Sequence, residues 1–433
     1  MKIALIRPNM GDYRSTDAMP PLAMGILAAR SSGHQVHFYD DKAEAIPDEL
    51  DVDLLALSVE TFTARRAYQL ADRFRQQGIK VVMGGYHPTF LPKEALQHAD
   101  AVVTGDAEGT WEQLLADADR DRMQSIYQGD NRNSLKDMRI DRSIFAGKRY
   151  APIELTQFGR GCRFICDFCS IHEFYGTTVR TRPAEALRDE LVALNSRRLL
   201  FFVDDNLFST AENLDSLLRI MTPLGRRWSC QISIDVARDP ALLDRLAAAG
   251  CRYVLIGFES LEAENLRQMN KPWNRVAGDY RQVVAGLHSR GIGVYGTFVF
   301  GYDYDTPDSI RRCLDFALES RLEIANFNPL TPTPGSGLYK RLAAENRLIS
   351  PQWWLDPDYR YGAPIFQPRL MTPAQLAEGC FEAKKAFYAW SSIGRRILGS
   401  DCRFSLFSST MTAVANLISR REVYRKQGRL LGT

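Results

Sequence analysis

Short apolar runs recur along this chain with amphipathic stretches between them, and that alternation restricts the fold more than any other feature. Runs at 2–6, 35–39, 54–58, 80–83 and 101–104 are too short for helices and read as buried strands, while 21–31, 63–77 and 92–97 carry helical periodicity. Alternation of this kind builds a parallel sheet covered by helices. Ligands of such sheets sit at the carboxyl ends of the strands, where Gly84-Gly85 and Gly105-Asp106 fall.

The rhythm lapses over 112–150, a polar stretch, and resumes at 154. Strands are expected at 199–203, 231–235, 253–258, 293–300 and 324–330, with helices at 183–195, 211–221, 240–249, 274–290 and 306–320. The expected fold class is α/β: an N-terminal Rossmann-like parallel sheet domain, a partial barrel of the (β/α)6 type, and a small helical C-terminal region. A chain of 433 residues exceeds what one core sustains. The boundaries read as 1–135, a linker at 136–150, a barrel at 151–345 and a tail at 346–433. Arg420, Arg421, Arg425, Lys426 and Arg429 near the end read as a solvated helix face.

Composition excludes several classes. With 45% hydrophobic and 25% charged residues the chain is neither disordered nor a disulfide scaffold. A net charge of +3 does not suggest a nucleic-acid partner. No run is long enough for a membrane span, and the apolar run after Lys2 is too short for a signal-peptide core, so a cytoplasmic location is expected.

The chemistry concentrates in Cys162-Arg-Phe-Ile-Cys166-Asp-Phe-Cys169, which follows a Gly-Arg-Gly turn just after a candidate strand. Thiolates are soft ligands suited to iron–sulfur clusters, and three of them leave one iron of a four-iron cluster with an open position. The competing reading is zinc, which needs a fourth ligand; His172 is the nearest histidine. Cys230, Cys251, Cys313, Cys380 and Cys402 lack ligand spacing and read as buried apolar residues.

This CxxxCxxC, with aromatic Phe168 before its last cysteine and a β/α barrel around it, resembles the radical S-adenosylmethionine superfamily, and the resemblance covers most of the chain. It implies that Cys162, Cys166 and Cys169 hold a [4Fe-4S] cluster on which S-adenosylmethionine is split to a 5′-deoxyadenosyl radical that takes hydrogen from a substrate. Phe202-Val-Asp204-Asp205-Asn206 resembles the acidic motif near the methionine amine. Glu259-Ser260 resembles the ribose-contacting motif, and Gly296–Gly301, with Phe298, and Leu330 resemble the adenine-packing strand ends. Tyr175, Tyr302 and Tyr304 lie near strand ends.

The amino-terminal stretch resembles the cobalamin-binding domain of one subfamily through Pro20-Pro21-Leu-Ala, Gly84-Gly85-Tyr-His87 and Gly105-Asp106-Ala-Glu108, where Asp106 departs from the usual Glu. The resemblance implies corrin contacts at Ser58, Gly84, Gly85, His87 and Gly105. No Asp-x-His-x-x-Gly offers a cobalt ligand. Trp353, Trp354 and the segment around Phe387 resemble the tail of hopanoid C-2 methylases. The implied reaction is methyl transfer to carbon of a small-molecule substrate through methylcobalamin, with an external one-electron donor of the flavodoxin or ferredoxin type. Its rivals are a radical reaction without methyl transfer, with no cobalamin, and a regulatory metal-binding protein.

Overall fold

The computed structural model describes residues 1–208, 210–275, 279–398 and 405–432. Its first sheet contains β1 Lys2–Arg7, β2 Gln35–Asp40, β3 Leu54–Ser58, β4 Lys80–Gly84, β5 Ala101–Thr104 and β6 Ile126–Gln128, all parallel, in the order β2-β1-β3-β4-β5-β6. Ile3, Ala4, Leu5 and Ile6 are wholly buried, as expected of a central parallel strand with helices on both faces. One cover is the helix Ala64–Gln76, which turns Ala67, Tyr68, Leu70, Ala71 and Phe74 inward. The order reverses between β1 and β3, so a crevice opens there at the carboxyl edge.

β6 and the helix Trp111–Asp119 lie in the stretch that reads as polar connector. Three residues at a sheet edge bury too little apolar surface to leave a periodic signal. The segment expected to link the sheets packs back on the first one: Met138 is buried, and the Phe145 ring meets Phe38 edge-on at 5.7 Å.

The second sheet holds β7 Ile153–Thr156, β10 Leu199–Phe202, β11 Trp228–Ile232, β12 Cys251–Glu259, β13 Gly293–Phe300 and β14 Ile324–Pro329, parallel and in sequence order; β8 Gly159–Arg160 and β9 Arg180–Thr181 form a small antiparallel ribbon beside it. Sequential parallel strands with helical crossovers are how a (β/α) barrel grows, and β7 and β14 remain as edges of a partial one. β11 lies three residues before its expected position, because the chain turns at Val236–Arg238 and leaves Ser233 and Asp235 beyond the strand. The helix expected over 274–290 runs from Tyr280 to His288, after a separate short turn of helix at Pro272–Arg275.

The helices Pro373–Phe387, Trp390–Leu398 and Leu406–Lys426 complete the chain. Trp353 and Trp354 are buried between the two sheets: Trp353 packs on Phe62 at 4.9 Å, and the Trp354 indole donates to Glu94 at 2.9 Å. Among the described residues no helix is long and apolar enough to cross a membrane. Cys230, Cys251, Cys313 and Cys380 are buried free thiols, and Cys402 falls outside the described residues.

Candidate functional site

The three cysteines leave the carboxyl end of β7 on one loop, and β10 grips that loop by its backbone. Asp204 accepts the Phe158 N–H at 2.9 Å and the Gly159 N–H, while Asp205 accepts the Gly161 N–H at 2.8 Å. Gly161 has φ +92°, and a Cβ there would lie 1.9 Å from the Thr178 carbonyl oxygen, so only glycine fits this turn. The Asn206 amide donates to Cys162 Sγ at 3.7 Å. On the outer side, Phe164 stacks on Trp273 at 4.1 Å. Phe168 is partly buried against the core.

Burial pushes the thiols up, Cys166 to about 12 and Cys169 to about 11, and the cysteines raise one another further. Neighbouring thiols that resist ionisation on their own suit a cationic cluster that takes them as thiolates. Among the described residues no group of three or more His, Cys, Asp or Glu side chains is drawn around a single metal ion, and His172 does not complete one.

Sequence reasoning missed Lys271. Its buried ammonium donates to Glu259 Oε1 at 2.7 Å and to the Gly257 carbonyl at 2.9 Å. Burial opposes that charge, but Glu259, Cys166 and Cys169 outweigh it and raise the lysine, which in turn lowers the Cys166 thiol. The pair rests on an unusual backbone. β12 slips register between Gly257 and Glu259, and Glu259 takes φ +63°, a region costly for a side chain with Cβ. A Cβ on Gly257 would sit 2.1 Å from Glu259 Oε1. The signal in the sequence was a lysine between Asn270 and Pro272 with no periodic company.

Other expected contacts lie elsewhere. Asp204 is buried with both carboxylate oxygens on backbone N–H groups, so it holds the loop. Ser260 is buried and its Oγ accepts the Glu262 N–H at 3.0 Å. Phe298 lies on the helix-covered side of β13, stacked between Phe258 and Phe327 and meeting Phe316, because strand alternation sends Tyr295, Thr297 and Val299 to the other face. Leu330 is buried and its N–H donates to Phe300. Tyr302 is buried with its hydroxyl on Asp167, whereas Tyr304 is exposed.

A cavity of about 460 Å³ opens where the first sheet reverses order. Ser58, Gly84, Gly85 and Gly105 line it from the strand ends, and Pro20-Pro21 close one side. Its opposite wall comes from the barrel: Leu155, Gln157, Arg160 and Val203. A Cβ on Gly84 would meet only Val103, at 3.6 Å, so the missing side chain is open room and not a packing necessity. A mostly apolar cavity with a bare glycine wall, lying between two strand edges, fits a corrin face. His87 is not on that wall. It is fully buried behind it, with Nε2 3.0 Å from both Tyr68 Oη and Glu94 Oε1 and its ring near Trp354. The short helix Tyr86–Phe90 buries it together with Pro88.

Buried charges tie the cavity to the cysteine loop. Arg160 meets Asp106 at 3.1 Å and Glu108 at 2.5 Å; Asp106 also receives Arg180 at 2.7 Å and the Tyr175 hydroxyl at 3.1 Å. Asp106, the residue that departs from the usual pattern, is the hub between the first sheet and the β8–β9 ribbon.

Residues 17–115 match the B12 binding domain family, and residues 156–317 match the Radical SAM superfamily. Over 94% of this chain and 91% of the relative, the sequence is 31% identical to the bacteriochlorophyllide d C-12(1)-methyltransferase of Chlorobaculum tepidum. It is 29% identical to the C-8(2)-methyltransferase of the same organism, covering 80% of each chain. The fold superposes on the radical S-adenosylmethionine methyltransferase TsrM of Kitasatospora setae with a TM-score of 0.68 at 16% identity, covering 98% of this chain and 99% of that one. The chain thus belongs to the radical S-adenosylmethionine superfamily, among the cobalamin-dependent methyltransferases, whose cofactors are a [4Fe-4S] cluster, S-adenosylmethionine and cobalamin.

Proposed function

We propose that the protein methylates a carbon atom of a chlorin-class tetrapyrrole. One observation carries the methyl-transfer reading: the glycine-walled cavity of the first sheet shares its far wall with the barrel strands that also carry the cysteine loop. When bound, the cluster with S-adenosylmethionine supplies a hydrogen-abstracting radical, and cobalamin supplies the methyl group.

In this reading Cys162, Cys166 and Cys169 hold the cluster, and Lys271 offsets thiolate charge in a buried setting. Asp204 fixes the loop, while Asp205 and Glu259 orient the polar groups of S-adenosylmethionine. Ser58, Gly84, Gly85 and Gly105 carry the corrin. Two polar atoms just past the end of β11, Ser233 Oγ and Asp235 Oδ1, are buried with no hydrogen-bond partner among the described residues, which favours a polar ligand group at that barrel edge. The division of labour follows 1–135, 151–345 and 346–433, with an external one-electron donor. The chlorin class rests on the names of the two bacteriochlorophyllide d relatives.

The test is anaerobic reconstitution with iron, sulfide and hydroxocobalamin, then turnover with a reductant and bacteriochlorophyllide d. A methylated pigment with both 5′-deoxyadenosine and S-adenosylhomocysteine supports the proposal. Deoxyadenosine with no S-adenosylhomocysteine moves the protein to radical chemistry without methyl transfer. Methylation coproducts with some other acceptor retire only the chlorin.

A further inference from the structure

The last helix, Leu406–Lys426, buries polar residues and leaves several apolar ones in solvent, while Met411, Ile418 and Val423 are half-buried. Its buried residues are Ser408, Thr412, Asn416 and Glu422, and each is engaged. Tyr253 Oη donates to the Ser408 carbonyl at 2.6 Å and lies 3.0 Å from Thr412 Oγ1. The Asn416 amide donates to the Glu323 carbonyl at 2.9 Å, and Glu422 accepts the Thr16 N–H at 3.1 Å. The opposite face, which Thr410 and Arg421 share, carries apolar side chains in solvent: Leu406 is 85% exposed, Val414 38%, Leu417 47% and Tyr424 49%. A surface helix ordinarily shows the reverse arrangement. Trp390, 62% exposed, extends the face, since the Arg420 guanidinium lies over both its ring and that of Tyr424. Arg421 stands within the face, and Arg395 and Arg429 are also exposed. Among the described residues of 390–432 the single acid is Glu422, and it is buried.

We propose that this face seats the protein on the surface of an anionic lipid bilayer, with Leu406, Leu417, Trp390 and Tyr424 entering the headgroup boundary and Arg421 meeting lipid phosphate. Apolar side chains beside basic ones, with an aromatic pair at the rim, match that environment. A second copy of the chain is disfavoured, because a two-fold contact would set these arginines against themselves. An electron donor is also disfavoured. Phe407 lies under Arg227 before β11, and the helix continues past Tyr253 and Glu323 at the starts of β12 and β14. The cysteine loop lies at the other ends of the strands, about 30 Å away along a nine-residue strand such as β12.

Flotation of the full-length, anaerobically purified holoenzyme with vesicles tests this without reference to turnover, so its failure leaves the catalytic proposal standing. The protein should float with phosphatidylcholine vesicles containing about one-third phosphatidylglycerol, less as salt rises, and not with phosphatidylcholine alone. Arg421→Glu should lower partitioning about tenfold at low salt, and Leu406→Ser with Leu417→Ser at least as much. All three side chains are exposed, so thermal midpoints and deoxyadenosine release in solution should not move. No flotation at low salt overturns the proposal. So does binding that is indifferent to the leucines, or a dimer in sedimentation velocity that the serine variants dissociate.

Discussion

The chain builds two six-stranded parallel sheets and places something different at the carboxyl edge of each. The first edge works by shape: glycines and prolines leave a cavity, and the polar side chain expected there, His87, is turned away into a Tyr68–Glu94–Trp354 network. The second edge works by charge and soft donors: a cysteine loop gripped by two aspartates, and a buried lysine held by a glutamate in a costly backbone conformation. Topology sets where a site lies, and local residues decide whether it is a slot or a set of donors.

That contrast predicts different ways to break each edge. The largest effect is expected from removing one donor: Cys166→Ala should abolish bound iron and deoxyadenosine release while cobalt uptake survives, as read by metal analysis and chromatography. The first edge should instead fail by added bulk. Gly84→Leu fills the cavity wall without a backbone clash, so cobalt retention should fall about tenfold or more with the iron content intact. Retained cobalt in that variant would place the corrin elsewhere.

The joint between the edges comes next. Asp106→Ala leaves Arg160 and Arg180 short of a buried partner, and should lower stability by about 3–5 kcal/mol in denaturant unfolding. Arg160 keeps Glu108, so the smaller value is the better expectation.

The smallest effect is a pH dependence on the barrel side. Burial pushes Asp305 up to about 7 from its ordinary 3.8, although the N–H groups of Gly301 and Tyr302 and the Asn265 amide oppose it. A carboxyl raised by folding stabilises fully below its unfolded value, and that contribution is lost as pH climbs through about 7. The urea midpoint should therefore fall between about pH 4 and about pH 7, and Asp305→Asn should flatten that part of the fall.

Much of both edges could be read in advance where the signal was local. Strands of the first sheet were legible because Ile3–Ile6 or Leu54–Leu57 are apolar without interruption. The sequence places β11 three residues late because Ile232, Ser233, Ile234 and Asp235 continue an alternating pattern that the turn at Val236–Arg238 ends. The motif around Phe298 resembles a ligand contact, whereas one step of strand alternation places the ring among helix-facing ones. The basic tail read as solvated charge, yet Lys426 is tied to Asp17 at 2.7 Å, and the residues facing solvent include Leu417 and Tyr424.

By itself the sequence determined that the chain forms parallel α/β layers and that three cysteines stand together on one loop, because periodicity and ligand spacing are short-range properties. Only the tertiary structure decided which carboxylates grip backbone, which histidine is buried, that Lys271 reaches Glu259, and that the last helix leaves Leu406, Leu417 and Tyr424 in solvent. Those outcomes depend on partners tens to hundreds of residues away, which folding brings into contact and no local pattern names.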